Sequence, residues 1–221
     1  MKAILTLLSF FCLASTAFTQ ENFEGVIRFH MTSKDSAVNV HITAFFKKDK
    51  IKFATEVLSS APGVDAKNET IIINFRDSLI ERIKFEEKFV ETEKMQSDST
   101  GDFPQLKRDS TKTEILGYEC TLFTTGNITK IEQKSGQNVE TNVNIRICYA
   151  RDLYFRIQPG LRTVQMVPLF TNDHIALGST IQIESDGQKY VLVTRAISIE
   201  KKTLEWSVFE LPANFPVRAS D

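Results

Sequence analysis

The chain reads as a mainly β protein built on one antiparallel sheet that curls. Three observations predict this. Residues 21–33 (ENFEGVIRFHMTS) and 37–47 (AVNVHITAFFK) alternate apolar and polar side chains at the two-residue period of a half-buried strand. Residues 178–185 and 188–199 flank Asp186-Gly187, a strong two-residue hairpin signal. No stretch sustains the 3.6-residue period of a long helix. Reading the remainder the same way gives about ten or eleven strands, and a sheet that wide closes, half-closes or meets a second sheet.

Taken in order, the first twenty residues come before any strand. MKAILTLLSFFCLASTAFTQ has one positive residue, Lys2, then an apolar run to Ala14 and small residues. That order is a secretory signal peptide, too short to span a bilayer. We place it over residues 1–19, with cleavage after Ala17 as the alternative, and one domain over 20–221. Phe11 spoils the small-residue site that lipidation at Cys12 requires, so the mature chain carries no anchor. The whole chain has 27 Lys+Arg against 28 Asp+Glu and a formal charge of -1. That balance, with no clustered basic face, excludes nucleic acid as a partner. Seventeen Phe against one Trp mean that phenyl rings fill the interior or coat a cavity.

The first two strands meet through a short loop at Asp35-Ser36, so paired residues sum to 71. Phe29 then faces Ile42, Ile27 faces Ala44, and Phe46 covers Gly25. A slip by one residue would turn every one of these side chains to the wrong face. The next turn, at Lys48-Asp49, places Phe46 opposite Ile51 and Ala44 opposite Phe53. Lys47, Lys48, Lys50 and Lys52 read as a solvated tip that blunts an edge.

Residues 58–69 are a loop; 70–75, 78–85 and 88–94 are strands; 97–110 are a polar loop with Gly101 and Pro104. Residues 111–125 (TKTEILGYECTLFTT) read as one long strand with a bulge at Gly117. Leu116, Tyr118, Cys120 and Leu122 share one face, and Glu119, Thr121 and Phe123 the other. Residues 127–134 and 142–150 form a hairpin around Ser135-Gly136. The period-three spacing of Leu161, Val164 and Val167 suits a short helix or lid within 151–170. In the last hairpin pairs sum to 373, so Glu184 meets Lys189, Ile183 meets Tyr190 and Ile181 meets Leu192. Residues 204–217 close the sheet.

Candidate chemistry is sparse. Cys120 and Cys148 are a possible disulfide: an oxidising compartment favours the bridge, while the faces argue against it, since Cys148 alternates with Asn144 and Arg146. The register sets His30 opposite His41, but two imidazoles without further ligands make a cross-strand aromatic pair rather than a metal site. Glu81, Glu86, Glu87, Glu91 and Glu93 read as a solvated strand surface. Nucleophile-elbow, zinc-protease and phosphate-loop patterns are absent. We therefore expect no enzyme, no metal and no cofactor.

Three segments carry a resemblance to a known family. Residues 23–29 (FEGVIRF), 115–120 (ILGYEC) and 208–213 (VFELPA) resemble a family of small secreted bacterial proteins of unknown function, related in fold to the lipoprotein carrier LolA and the lipoprotein LppX. The resemblance implies an antiparallel half-barrel with one or two short helices at its mouth, in the periplasm of a Gram-negative bacterium. It supplies no catalytic residues. A curled sheet with few helices leaves a concave side that suits an apolar ligand. Its expected lining is Phe29, Ile42, Phe46, Phe53, Tyr118, Leu122, Tyr190 and Leu192. The expected partner is a lipid, an acyl chain or another apolar small molecule, with a lipoprotein or envelope protein behind it. The alternative is an envelope structural or protein-interaction module with a filled β core and no ligand.

Overall fold

The computed structural model describes residues 21–33, 38–59, 67–95, 106–134, 137–156, 170–171, 173–185 and 187–220. The expected signal peptide, most of the 97–110 loop and most of the 151–170 segment expected to hold a helix or lid lie outside the described residues; of that segment, residues 151–154 continue a strand instead.

Two meanders make one curled, unclosed sheet. The first runs β1 (Gly25–Ser33), β2 (Asn39–Lys47), β3 (Lys50–Ser59), β4 (Thr70–Asn74), β5 (Leu79–Lys84) and β6 (Phe89–Lys94). The second holds β7 (Lys107–Ile115), β8 (Tyr118–Lys134), β9 (Gln137–Tyr154), β10 (Phe170–Thr171), β11 (His174–Ser185) and β12 (Gln188–Lys201). A three-residue strand, β13 (Val217–Ala219), adds to β6 in the only parallel pairing among the described strands. The order across the sheet is β13-β6-β5-β4-β3-β2-β1-β12-β11-β9-β8-β7, with β10 on the start of β11. The meanders therefore join along one seam, β1 against β12. The sole described helical turn is a 3-10 turn over Trp206–Phe209.

Three sequence registers are observed as read. Gly25 to Met31 pair with Phe46 to Val40, Phe46 with Ile51 and Ala44 with Phe53, and Ile181 with Leu192 beside Glu184 with Lys189. At Gly25 the seam tolerates no side chain. Its φ is +152°, and a Cβ there would lie 2.1 Å from the Glu200 carbonyl oxygen.

The sequence stretch 111–125 is corrected. Leu116 and Gly117 have φ of 53° and 82°, the two positive values of a tight hairpin turn. The segment is the end of β7, a turn and the start of β8, rather than one strand with a bulge. Leu116 is consequently exposed and leaves the face that holds Tyr118 and Cys120. Residues 107–110, read as loop, belong to β7.

The inward face carries one buried cluster drawn from both meanders: Ile27 and Phe46 from β1–β2, Phe53 and Ile73 from β3–β4, and Cys120, Ala150 and Leu177 from β8, β9 and β11. Phe155, just past β9, packs at 5.5 Å on Phe46 and 5.9 Å on Phe75, and Phe23 meets Phe46 at 5.4 Å. These phenyl rings plug one end of the curl.

The outward face of β1–β6 is apolar too, with Val26, Ile72, Ile83 and Val90 buried beneath Leu204 and Phe209. The C-terminal segment crosses this face as a strap and joins the sheet only at β13, where the sequence reading had it closing the sheet throughout. Its backbone is held by side chains. Glu24 Oε1 accepts from the Leu204 N–H at 2.8 Å and from Lys47 Nζ at 2.8 Å, and Lys47 donates in turn to the Leu204 carbonyl. Lys52 Nζ donates to the Val208 carbonyl at 2.9 Å. Lys47 is thus buried and paired, not part of a solvated tip. The strap had to be in place before that was visible. Trp206 lies over Lys47 and Lys48, 4.9 and 5.5 Å from ring centre to nitrogen.

Two predictions follow from these contacts. Phe155→Ala should cost about 3–5 kcal/mol in chemical denaturation, the usual loss for a buried phenyl. The bond from Lys47, then that from the Leu204 N–H, holds the Glu24 carboxyl below its ordinary range. The strap's stabilisation is therefore complete above the unfolded carboxylate value and is lost as pH falls through the lowered folded value. Fluorescence of Trp206, the only tryptophan, should report strap release on acidification, and Glu24→Gln should flatten that transition.

Candidate functional site

Of the eight expected lining residues, the structure brings five into one cluster. Phe29, Phe46 and Phe53 are buried in it, and Ile42 and Tyr118 pack half-covered against it. Leu122 is half-buried opposite Cys148. Leu192 is half-buried between Ser33 of β1 and Ile181 of β11. Tyr190 is 44% exposed near the tip of the last hairpin. Position along the strands sorts them. Phe46 lies in the phenyl plug; Ile42 lies four residues from it toward the opposite end of β2, Leu192 lies opposite Ser33 at the far end of β1, and Leu122 lies two residues past Cys120 on β8.

Cys120 and Cys148 share a face, contrary to the sequence reading. Cys120 pairs with Ala150 and Cys148 with Leu122, so the thiols are diagonal neighbours on adjacent strands. Two features reconcile the pattern. Leu116 leaves the face through the turn, and a bulge at Thr125-Gly126, with Gly126 at φ 69°, resets the register between Thr124 and Asn127. Thr124 then meets Arg146 and Asn127 meets Asn144, polar on polar. Both thiols are buried and unbridged. The adjacent Cys120 sulfur and then burial push the Cys148 thiol up, which removes thiolate character and nucleophilicity.

His30 faces His41 as the register requires, edge-to-face with ring centres 5.2 Å apart. His30 Nε2 lies 2.6 Å from Asn39 Oδ1. No group of three or more His, Cys, Asp or Glu side chains able to hold a metal occurs among the described residues. Glu81, read as solvated, is half-buried on β5, and burial raises its carboxyl.

A second site was not anticipated. On the face of β8 and β9 opposite the cysteines lies an open groove of about 480 Å³. Phe123 and the buried Tyr149 meet edge-to-face at 5.5 Å, and Tyr154 and His174 at 4.5 Å. Arg108 and Lys112 of β7 and Arg151 of β9 stand around these rings with Glu119 of β8. None of the eight expected lining residues borders this groove or the neighbouring one of about 430 Å³. The groove depends on β7 pairing with β8, the pairing hidden by reading 111–125 as one strand. The alternation of Glu119, Thr121 and Phe123 onto a separate face was the available signal.

Comparison with known proteins gives little more. No family model matches the chain, and no curated protein is significantly similar to it. A solved structure described as an outer membrane lipoprotein-sorting protein domain from Vibrio parahaemolyticus aligns over 84% of this chain and 88% of its own, at 11% identity and a TM-score of 0.32. A likeness that slight does not bear on the site.

The thiols give a direct check on burial. In the folded protein Cys120 and Cys148 should resist alkylation by iodoacetamide and both react once unfolded, read by mass spectrometry. A mass lower by two hydrogens with no alkylation after unfolding would show that the pair is bridged.

Proposed function

We propose that this is a secreted, non-enzymatic envelope protein that binds an apolar ligand: a lipid, an acyl chain or the lipid anchor of a lipoprotein. One observation carries the reading. The interior is plugged with phenyl rings at one end of the curl, while apolar residues toward the other end, Ile42 and Leu192, stay half-covered on the sheet face that carries Phe29. A side chain held half-covered on a rigid sheet is pre-paid contact surface for an acyl chain. Each methylene shielded there contributes about 0.8 kcal/mol, so affinity grows with the length of chain that is shielded.

The packed plug also favours the second reading, an interaction module with a filled core and no ligand. A neutral naphthylamine dye whose emission rises in apolar surroundings separates the two. The binding reading predicts a saturable one-to-one rise that Leu192→Asp or Ile42→Asp weakens at least about tenfold, because a buried charge costs well over 1.4 kcal/mol, with cooperative unfolding retained. Phe46 is unsuitable for this test: it is 1% exposed, and a charge there would unfold the plug. Absence of saturable binding in the folded wild type would contradict the proposal.

A further inference from the structure

We propose that the groove on the outer face of β8 and β9 is a second binding site, for a small organic anion that carries a ring. Its floor and rim divide the work. Phe123, Tyr154 and His174 are half-buried and offer ring surface, while Arg108, Lys112 and Arg151 are exposed around them. Three cations meet one carboxylate, leaving positive charge uncompensated over an aromatic floor.

Glu119 marks where a ligand's anionic group belongs. Its Oε1 lies 3.1 Å from Lys112 Nζ and 3.5 Å from Arg151 Nη1, so one carboxylate oxygen already sits where cations from β7 and β9 converge. Those neighbours hold its carboxyl low, Lys112 first. Arg108 forms no ion pair among the described residues, although it stands on the same edge strand, opposite Phe123. A carboxylate or phosphate entering the groove therefore finds Arg108 available and competes with Glu119 for the other two. Arginine suits this role, because its planar fork binds either group through two hydrogen bonds. The ring of such a ligand would lie against Phe123 and Tyr154, out of water. At about 480 Å³ the groove is within the usual range for small-molecule sites.

The site lies across the sheet from the cysteines and shares no residue with the apolar lining, so the two proposals fail separately. Solution NMR of the full mature chain, observing the His174 ring and Tyr154, tests it with four probes: phenyl phosphate, phenylacetate, benzyl alcohol and inorganic phosphate. We expect saturable shifts with phenyl phosphate or phenylacetate, the better of them identifying phosphate or carboxylate as the recognised group. Arg108→Ala and Arg151→Ala should each weaken binding about tenfold, the loss expected for a charge-assisted hydrogen bond. Glu119→Gln should strengthen it, which a merely structural ion pair would not do. All three side chains are exposed, so the variants remain folded. No saturable shift with either ring-bearing anion, or arginine variants that bind like wild type, would overturn the proposal. So would benzyl alcohol or inorganic phosphate binding as tightly as the ring-bearing anions.

Discussion

The packing of Phe155 on Phe46 and Phe75 is the constraint on which the rest depends. The two meanders share strand pairing only along the seam of β1 and β12 among the described strands, with the Phe23 N–H donating to the Tyr154 carbonyl at 2.6 Å as a further tie, and the curl of so wide a sheet is held by packing across its interior. Phe155 comes from the second meander, Phe46 and Phe75 from the first. Their contact across the interior sets the curl. It also decides what the interior is for. The end that holds these rings is closed by dispersion and close packing, and ligand space is confined to the strand ends beyond it.

The outer face faces the same demand with a different answer. Val26, Ile72 and Val90 cannot be left in water, and the curl cannot reach them, so the C-terminal strap covers them. A strap crossing a sheet face forms no ladder, so its peptide groups need partners of another kind. Glu24 and Lys47 supply them by gripping both the N–H and the carbonyl of Leu204. With the inward plug and the outward strap both committed to structure, two regions are left to work. They are the half-covered inward residues past the plug and the polar groove on β8 and β9.

Much of the fold was legible because strand registers are arithmetic once a turn is fixed. Asp186-Gly187 and the short loops after β1 and β2 each determined a run of pairs that the structure reproduces. What failed did so for local reasons. Leu116-Gly117 hides a turn because leucine rarely takes a left-handed conformation. That misreading displaced β7 and concealed the groove, and the bulge at Thr125-Gly126, equally unread, hid that the two cysteines share a face. Lys47 looked solvated because its partners, Glu24 and Leu204, are 23 and 157 residues away. Leu153 and Phe155, both fully buried, fell in a stretch where the alternation breaks down, so nothing in the pattern pointed to the plug.

The central claim is that the unplugged part of the curl holds an apolar ligand, and the protein taken from its own host is the most direct witness. Native mass spectrometry of gently isolated protein, followed by organic extraction and lipid analysis, reads the occupant itself. The account predicts a discrete mass excess that leaves with solvent and is identified as a lipid or acylated species. A bare mature mass, unchanged after incubation with host lipids, would contradict it and leave a filled β module as the better description.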